Sequence, residues 1–388
     1  MLNRVYLDWN ATAPLRSEAR AAMETAWELS GNPSSVHAEG RQARRLVEEA
    51  RAVVAEAIGA EPRNVVFTSS GTEANALALC PGVHTPAGQP AERLLLSSIE
   101  HASVMSGGRF APEMITKIKV AASGLVDLAD LRAKLAGGGP ALVSVMAANN
   151  ETGALQPVRE AAQIVHEAGG TLHVDAIQTL GKIPFNINSL GADLVTVSAH
   201  KIGGPKGVGA LVLAEGLLGV SPLLRGGGQE RGHRAGTENV AGIAGFGAAV
   251  IAAMAALEAD RPRVEQLRNR LEAGLKAVPG VIIFAAEVPR LPNTTLFTVP
   301  GLRAETAVIG FDLAGIAVSS GSACSSGKVQ PSHVLEAMGL PANLAQGAVR
   351  LSLGWSTTPE DVESCLKAWR KLAGTLIKGS DETVLERF

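Results

Sequence analysis

The sequence predicts an α/β fold with a large, mainly parallel sheet, and three observations carry that expectation. From residue 64 onward short β-branched runs alternate with helical stretches, the rhythm of consecutive strand–helix units. The chemically distinctive residues fall where those strands end, and ligands of such sheets bind at the carboxyl ends. The 388-residue chain is 46% hydrophobic and 19% charged, so it can bury a large core and divide into domains.

The opening segment 7–14 is polar and irregular, and a helix is expected over 17–30. Residues 31–37 hold too many turn formers for regular structure. Over 39–58 apolar residues recur at helical spacing with charges between them, which predicts a long amphipathic helix. Seven strands follow, at 65–68, 93–97, 115–120, 142–147, 171–175, 193–198 and 209–213, with helices at 72–79, 128–135 and 158–168. The stretch 224–239 is dense in glycine and basic residues, suited to wrapping an anion or another backbone. A helical region then runs through Ala259, resumes after Pro262 and leads to a smaller α+β C-terminal domain. Its strands are expected near 281–285, 294–298 and 349–352. The large domain is set at 15–260, and the small one at 1–14 with 261–388, carrying a loop at about 319–333.

A net charge of −2 gives no electrostatic footprint for nucleic acid, and 3% aromatics leave few stacking platforms. Cys80, Cys324 and Cys365 are too scattered for a disulfide framework or a metal site, which suggests a reducing, cytoplasmic setting. The N-terminus lacks an apolar core of signal-peptide length. Residues 240–257 are uncharged but mostly Ala and Gly. They read as a close-packed helix at a domain or subunit contact rather than a membrane span.

Lys201 sits at the end of a buried strand, in Ser198-Ala-His200-Lys201 before a Gly/Pro-rich turn. Poor solvation there lowers an ammonium pKa and prepares an amine for Schiff-base chemistry; the alternative is a lysine that snorkels outward. Asp175 occupies a similar strand end 26 residues earlier. Such a pair suits pyridoxal phosphate, with lysine on the aldehyde and aspartate on the ring nitrogen. Gly71 and Thr72 follow a strand and open a helix, an anion site unless Thr72 is simply the N-cap. Arg350 is a charge inside an apolar strand, and a buried guanidinium needs a partner such as a carboxylate. Small residues flank Cys324 in Ser319-Ser-Gly-Ser-Ala-Cys324-Ser-Ser-Gly327, implying a mobile, exposed loop with an accessible thiol.

The Asp-Ala-x-Gln (175–178), Ser-x-His-Lys (198–201) and Gly-Pro-Lys-Gly (204–207) blocks resemble the class V aminotransferase family of pyridoxal phosphate enzymes of fold type I. More narrowly the chain resembles the group I cysteine desulfurases from about Tyr6 to Trp369, and Arg-Ala-Gly-Thr-Glu-Asn (234–239) leans toward the nitrogen-fixation-type branch. That resemblance implies roles residue by residue. His101 would stack on the cofactor ring and assist proton transfer, although a lone histidine is commonly a satisfied polar residue. Asn150 and Gln178 would contact the ring and its 3′-oxygen, and Ser198 and His200 would complete the phosphate cup with Thr72. Thr237 would reach the phosphate of a neighbouring subunit's cofactor, implying a homodimer with shared sites. Arg350 and Asn32 would hold the carboxylate of L-cysteine. Cys324 would accept its sulfur, pass it to an iron–sulfur scaffold or other acceptor, and is the one residue to consider as a transient cluster ligand. A selenocysteine lyase or aminotransferase would share all but dependence on Cys324, and a sulfur-carrier module would keep only the fold. The short polar tail after Trp369 leaves the partner open.

Overall fold

The computed structural model describes residues 4–86, 88–321 and 332–376. Its centre is a seven-stranded sheet in the order Val65–Thr68, Gly209–Leu213, Leu194–Ser198, Thr171–Asp175, Ala141–Ser144, Arg93–Ser97, Ile115–Ile118. Gly209–Leu213 runs antiparallel to both neighbours, and the other neighbouring pairs are parallel. Six carboxyl ends therefore share one edge, including those at Thr68, Asp175 and Ser198. Most of these strands are buried along their whole length, which is why they read as near-continuous apolar runs.

A second, antiparallel sheet joins Ser319–Ser320, Val349–Ser352, Thr294–Thr298 and Ile282–Ile283. The N-terminal Val5–Tyr6 pairs in parallel with Ile316–Ala317, so the chain's opening residues are carried beside this smaller sheet. The next residue but one, Asp8, bridges to Ser352.

Pro262 does not interrupt the helix. Val240–Lys276 is one continuous element of 37 residues with the proline inside it. A proline in a helix interior costs about 3 kcal/mol. Packing on both sides offsets that cost, since a buried Ile, Leu, Val or Phe contributes about 1.5–3 kcal/mol. Ile243, Phe246 and Val250 pack in the core of the large sheet, whereas Val264, Leu267, Leu271 and Leu275 pack in that of the small one. The helix is long and apolar enough to cross a membrane by composition, but half of its most apolar window is buried in the fold. Its small residues serve that burial: a Cβ on Gly247 would lie 2.9 Å from the Cα of Ala50, on the facing helix Ala38–Ile58.

Three expected strands are shorter than their apolar runs, and the one near 281–285 is reduced to Ile282–Ile283. Ile115–Ile118 stops before Val120, which forms an isolated bridge to Val126. Ala141–Ser144 gives way to a buried irregular stretch in which the N–H groups of Val145 and Ala147 still donate to the neighbouring strand, and beyond it the side chain of Asn149 closes a turn.

Candidate active site

A cavity of about 420 Å³ lies over the carboxyl edge of the parallel sheet. Lys201 reaches it from a 3-10 turn, Ala199–Lys201, that follows the Leu194–Ser198 strand. Its Nζ donates to the carbonyls of Asn10 at 2.6 Å and Ala11 at 2.9 Å. Burial, then the charge of Arg350, pushes the ammonium down to about 8 against the opposing pull of Asp175 and Asp8. On the neighbouring strand Asp175 pairs in register with Thr196. Burial raises its carboxyl, opposed by hydrogen bonds from the Ile177 N–H at 3.0 Å and the Asn75 amide at 2.9 Å.

That amide bond belongs to a buried network absent from the sequence-based expectations. Asn75 Nδ2 also donates to Ser103 Oγ at 2.9 Å, and its carbonyl accepts from Thr196 Oγ1 at 2.6 Å. Thr196 Oγ1 lies 3.2 Å from His173 Nε2, and His173 Nδ1 lies 2.8 Å from Ser144 Oγ. Burial holds the His173 imidazolium down to about 3, so this ring is neutral. Ser103 extends the network to His101, whose Nδ1 accepts the Ser103 N–H at 3.2 Å and lies 2.8 Å from its hydroxyl. Burial lowers the pKa of His101 as well. With Nδ1 committed as an acceptor, the hydrogen bonds assign the proton of the neutral ring to Nε2.

The other end of the cavity suits an anion. The helix Gly71–Ala78 begins there and is capped by Ser70, whose Oγ accepts the Glu73 N–H at 3.1 Å. Thr72 is therefore not the N-cap, and with Ser198 and His200 it stands on the cavity wall. A helix N-terminus with free N–H groups and hydroxyls favours phosphate. Burial, then Lys201, holds the His200 imidazolium down to about 4, leaving a neutral ring with Nδ1 3.2 Å from Thr12 Oγ1.

Asn10, in the opening segment, is the hub that sequence reasoning missed. It is 1% exposed, and its carbonyl accepts from both Lys201 and the Gln178 amide. Its side-chain oxygen accepts from Lys182 Nζ at 2.9 Å, and its Nδ2 donates to the carbonyl of Asn150 at 3.2 Å. Lys182 also donates to Gln178 Oε1 at 2.7 Å, and burial depresses its ammonium strongly. Gln178 and Asn150 line the cavity, while Asn149 is fully buried, its side-chain oxygen accepting from the local turn and its amide donating to the carbonyl of Ile99. Arg350 donates to the Asn150 carbonyl at 3.1 Å and to Asp8 Oδ1 at 2.8 Å. The first carboxylate this guanidinium meets is thus one from its own chain, which the sequence reading did not foresee. Its buried Nε has no partner among the described residues, so donor capacity remains.

Three candidates stand apart. Asn32 is exposed and turned back on its own loop, its Oδ1 accepting the Ser34 N–H at 2.9 Å, so it does not reach the cavity of its own chain. Thr237 is exposed in a separate cleft with Arg234 and Glu238. Cys324 lies outside the described residues, but Ser319, Ser320 and Gly321 line the cavity. Cys80 and Cys365 are free and fully buried, and desolvation pushes the Cys365 thiol up to about 12.

A depressed lysine, a carboxylate on the adjacent strand end, a helix N-terminus with hydroxyls and a buried guanidinium with an unused Nε fit pyridoxal phosphate and an amino acid. Fold and site together define a pyridoxal phosphate-dependent enzyme. The aminotransferase class-V family model matches residues 5–365, and the chain belongs to that family. It is 41% identical over 377 residues to cysteine desulfurase IscS of Dictyoglomus turgidum, covering 96% of this chain and 95% of that one. It is 44% identical over 376 residues to a cysteine desulfurase of Cereibacter sphaeroides, covering 94% and 95%. The crystal structure of a NifS-like protein from Rickettsia africae superposes with a TM-score of 0.88 at 37% identity, covering 96% of this chain and all of that one.

Proposed function

We propose that this chain is a cysteine desulfurase, taking sulfur from L-cysteine, releasing L-alanine and holding the sulfur as a persulfide on Cys324. One observation carries the reading: Ser319–Gly321 are part of the cavity wall, and only Ser322 and Ala323 separate them from Cys324 in sequence.

Pyridoxal phosphate supplies an aldehyde that joins an amine and a ring that takes up electrons released at the substrate's Cα. Asp175 would hold the proton of the ring nitrogen, and Thr72, Ser198 and His200 would hold the phosphate. Lys201, with a pKa near 8, is neutral often enough to act as the anchoring amine and then to move a proton at Nζ. His101 offers Nε2–H on the same cavity. Arg350 orients the substrate through its carboxylate. The Cys324 thiolate attacks the substrate sulfur; an S–S bond forms, the Cβ–S bond breaks, and Cβ keeps the electron pair and takes up a proton.

The reading extends to a homodimer in which Thr237, in the loop before the long helix, serves the partner's phosphate. An iron–sulfur scaffold or other protein would receive the persulfide sulfur. The two free buried cysteines suit a reducing compartment, and we place the enzyme in the cytoplasm. The test is alanine formation from L-cysteine by the wild type and Cys324→Ala. Loss of at least about a hundredfold is expected for a missing nucleophile. Undiminished turnover would point instead to a selenocysteine lyase-like reaction on the same fold.

A further inference from the structure

The departing end of the segment 322–331 pairs with Arg350, and its returning end is bonded to Glu151, the residue after the one whose carbonyl Arg350 contacts. On the departing side Ser319 pairs with Arg350 across antiparallel strands, and the Gly321 N–H donates to the carbonyl of Ala348 at 2.8 Å. On the returning side Ser332 is 1% exposed, and its Oγ accepts the Leu335 N–H at 3.2 Å to cap the short helix His333–Ala337. With its oxygen so used, the Ser332 hydroxyl donates to Oε2 of Glu151. Glu151 is itself buried and follows Asn150, whose carbonyl accepts from Arg350. His333 adds a second tie through Nε2, 2.9 Å from the carbonyl of Glu100 and so next to His101.

Ser332 could cap its helix without Glu151, and a packing role alone would be served by an apolar side chain. Burying a carboxyl is costly, which points to a use for its hydrogen bond. We propose that Glu151 is a positioning residue for sulfur transfer: through Ser332 it fixes where the Cys324-bearing segment rejoins the fold, beside the arginine that holds the substrate's carboxylate. This rests on the reading of Cys324 as the sulfur acceptor.

The experiment uses the holoenzyme in single turnover with L-cysteine. Intact-mass spectrometry follows persulfide formation on Cys324, and titration of the cofactor absorption follows cysteine binding. Alkylation of Cys324 by iodoacetamide, without cysteine, reports the thiol's setting independently. Glu151→Ala and Ser332→Ala should slow persulfide formation on the order of ten- to a hundredfold, as small misplacements of reacting groups do. Cysteine affinity should stay within about twofold, the alkylation rate should change, and Glu151→Gln and Ser332→Thr should restore transfer because each keeps the hydrogen bond. Wild-type transfer in both alanine variants would overturn the proposal. So would a matching loss of cysteine affinity, or a Glu151→Gln variant as slow as Glu151→Ala. Cys324→Ala in the same assay separates the two levels. If it abolishes transfer while Glu151→Ala does not slow it, only the positioning role falls; if it transfers sulfur undiminished, the parent reading falls too.

Discussion

Asn75 donates its side-chain amide to Asp175 Oδ2 at 2.9 Å, and this bond ends a buried polar chain that begins at Ser144. The same amide serves Ser103, which orients His101, so one asparagine sets both the carboxylate expected at the ring nitrogen and the imidazole expected over the ring's face. A network in which every member is satisfied is rigid, and a gap in it is expensive.

Replacing Asn75 by Leu removes partners from Asp175, Ser103 and Thr196 together. Unpaired buried groups cost about 1–3 kcal/mol each, so a loss of at least 2 kcal/mol is expected in urea unfolding of the apoprotein. Weaker retention of pyridoxal phosphate should accompany it, read by dialysis and absorption.

Arg350→Gln keeps much of the shape but loses the charge that faces both Asp8 and the cavity. Breaking a buried carboxylate pairing costs about 2–5 kcal/mol. KM for L-cysteine should rise thirtyfold or more on the order of that energy, while the cofactor spectrum without substrate is retained.

The Lys201 ammonium, near 8, makes capture of the cofactor by the apoprotein pH-dependent. Its neutral fraction climbs about tenfold between pH 7 and 9, and the second-order rate of pyridoxal phosphate binding should climb with it. A climb of about a hundredfold with no levelling by pH 9, as an ordinary lysine near 10.4 would give, would contradict a depressed lysine.

Glu151 is raised from 4.5 to about 7 by burial, with Ser332 and Arg350 opposing. The folded state then holds a proton that the unfolded state has released, so stability present below pH 4.5 is lost as pH rises through 7. The shift corresponds to about 3 kcal/mol. Glu151→Gln should therefore gain on the wild type by roughly that amount between pH 4.5 and 7.5 in denaturant unfolding, and equal slopes would refute it.

Two glycines at the phosphate end should respond differently. A Cβ on Gly209 would lie 2.5 Å from the backbone carbon of Ser70, whereas one on Gly71 would meet chiefly the terminal Cδ1 of Ile177 at 2.4 Å. Ile177 can rotate away and the start of the helix cannot. Gly209→Ala should release cofactor readily, and Gly71→Ala should change its dissociation rate much less.

The parallel sheet and the Lys201–Asp175 pair were legible because buried strands carry continuous apolar runs and end in abrupt polar clusters. Asn10, Asp8 and Lys182 were not, since they act through backbone carbonyls and contacts 140 or more residues away in sequence. Asn75 lies within the helix expected over 72–79, and nothing in local spacing shows that its side chain faces a strand end 100 residues later. Pro262 misled because local propensity was outweighed by cores packed on both halves of the helix. Asn32 was placed by resemblance alone, and in a single chain its side chain closes its own turn.

Mass spectrometry of the Cys324-containing peptide after a brief exposure of the holoenzyme to L-cysteine is the most direct trial of desulfuration. One additional sulfur on that peptide, absent when Lys201 is replaced by Ala, is expected. An unmodified Cys324 in enzyme that is releasing alanine would contradict the assignment of this thiol as the sulfur acceptor.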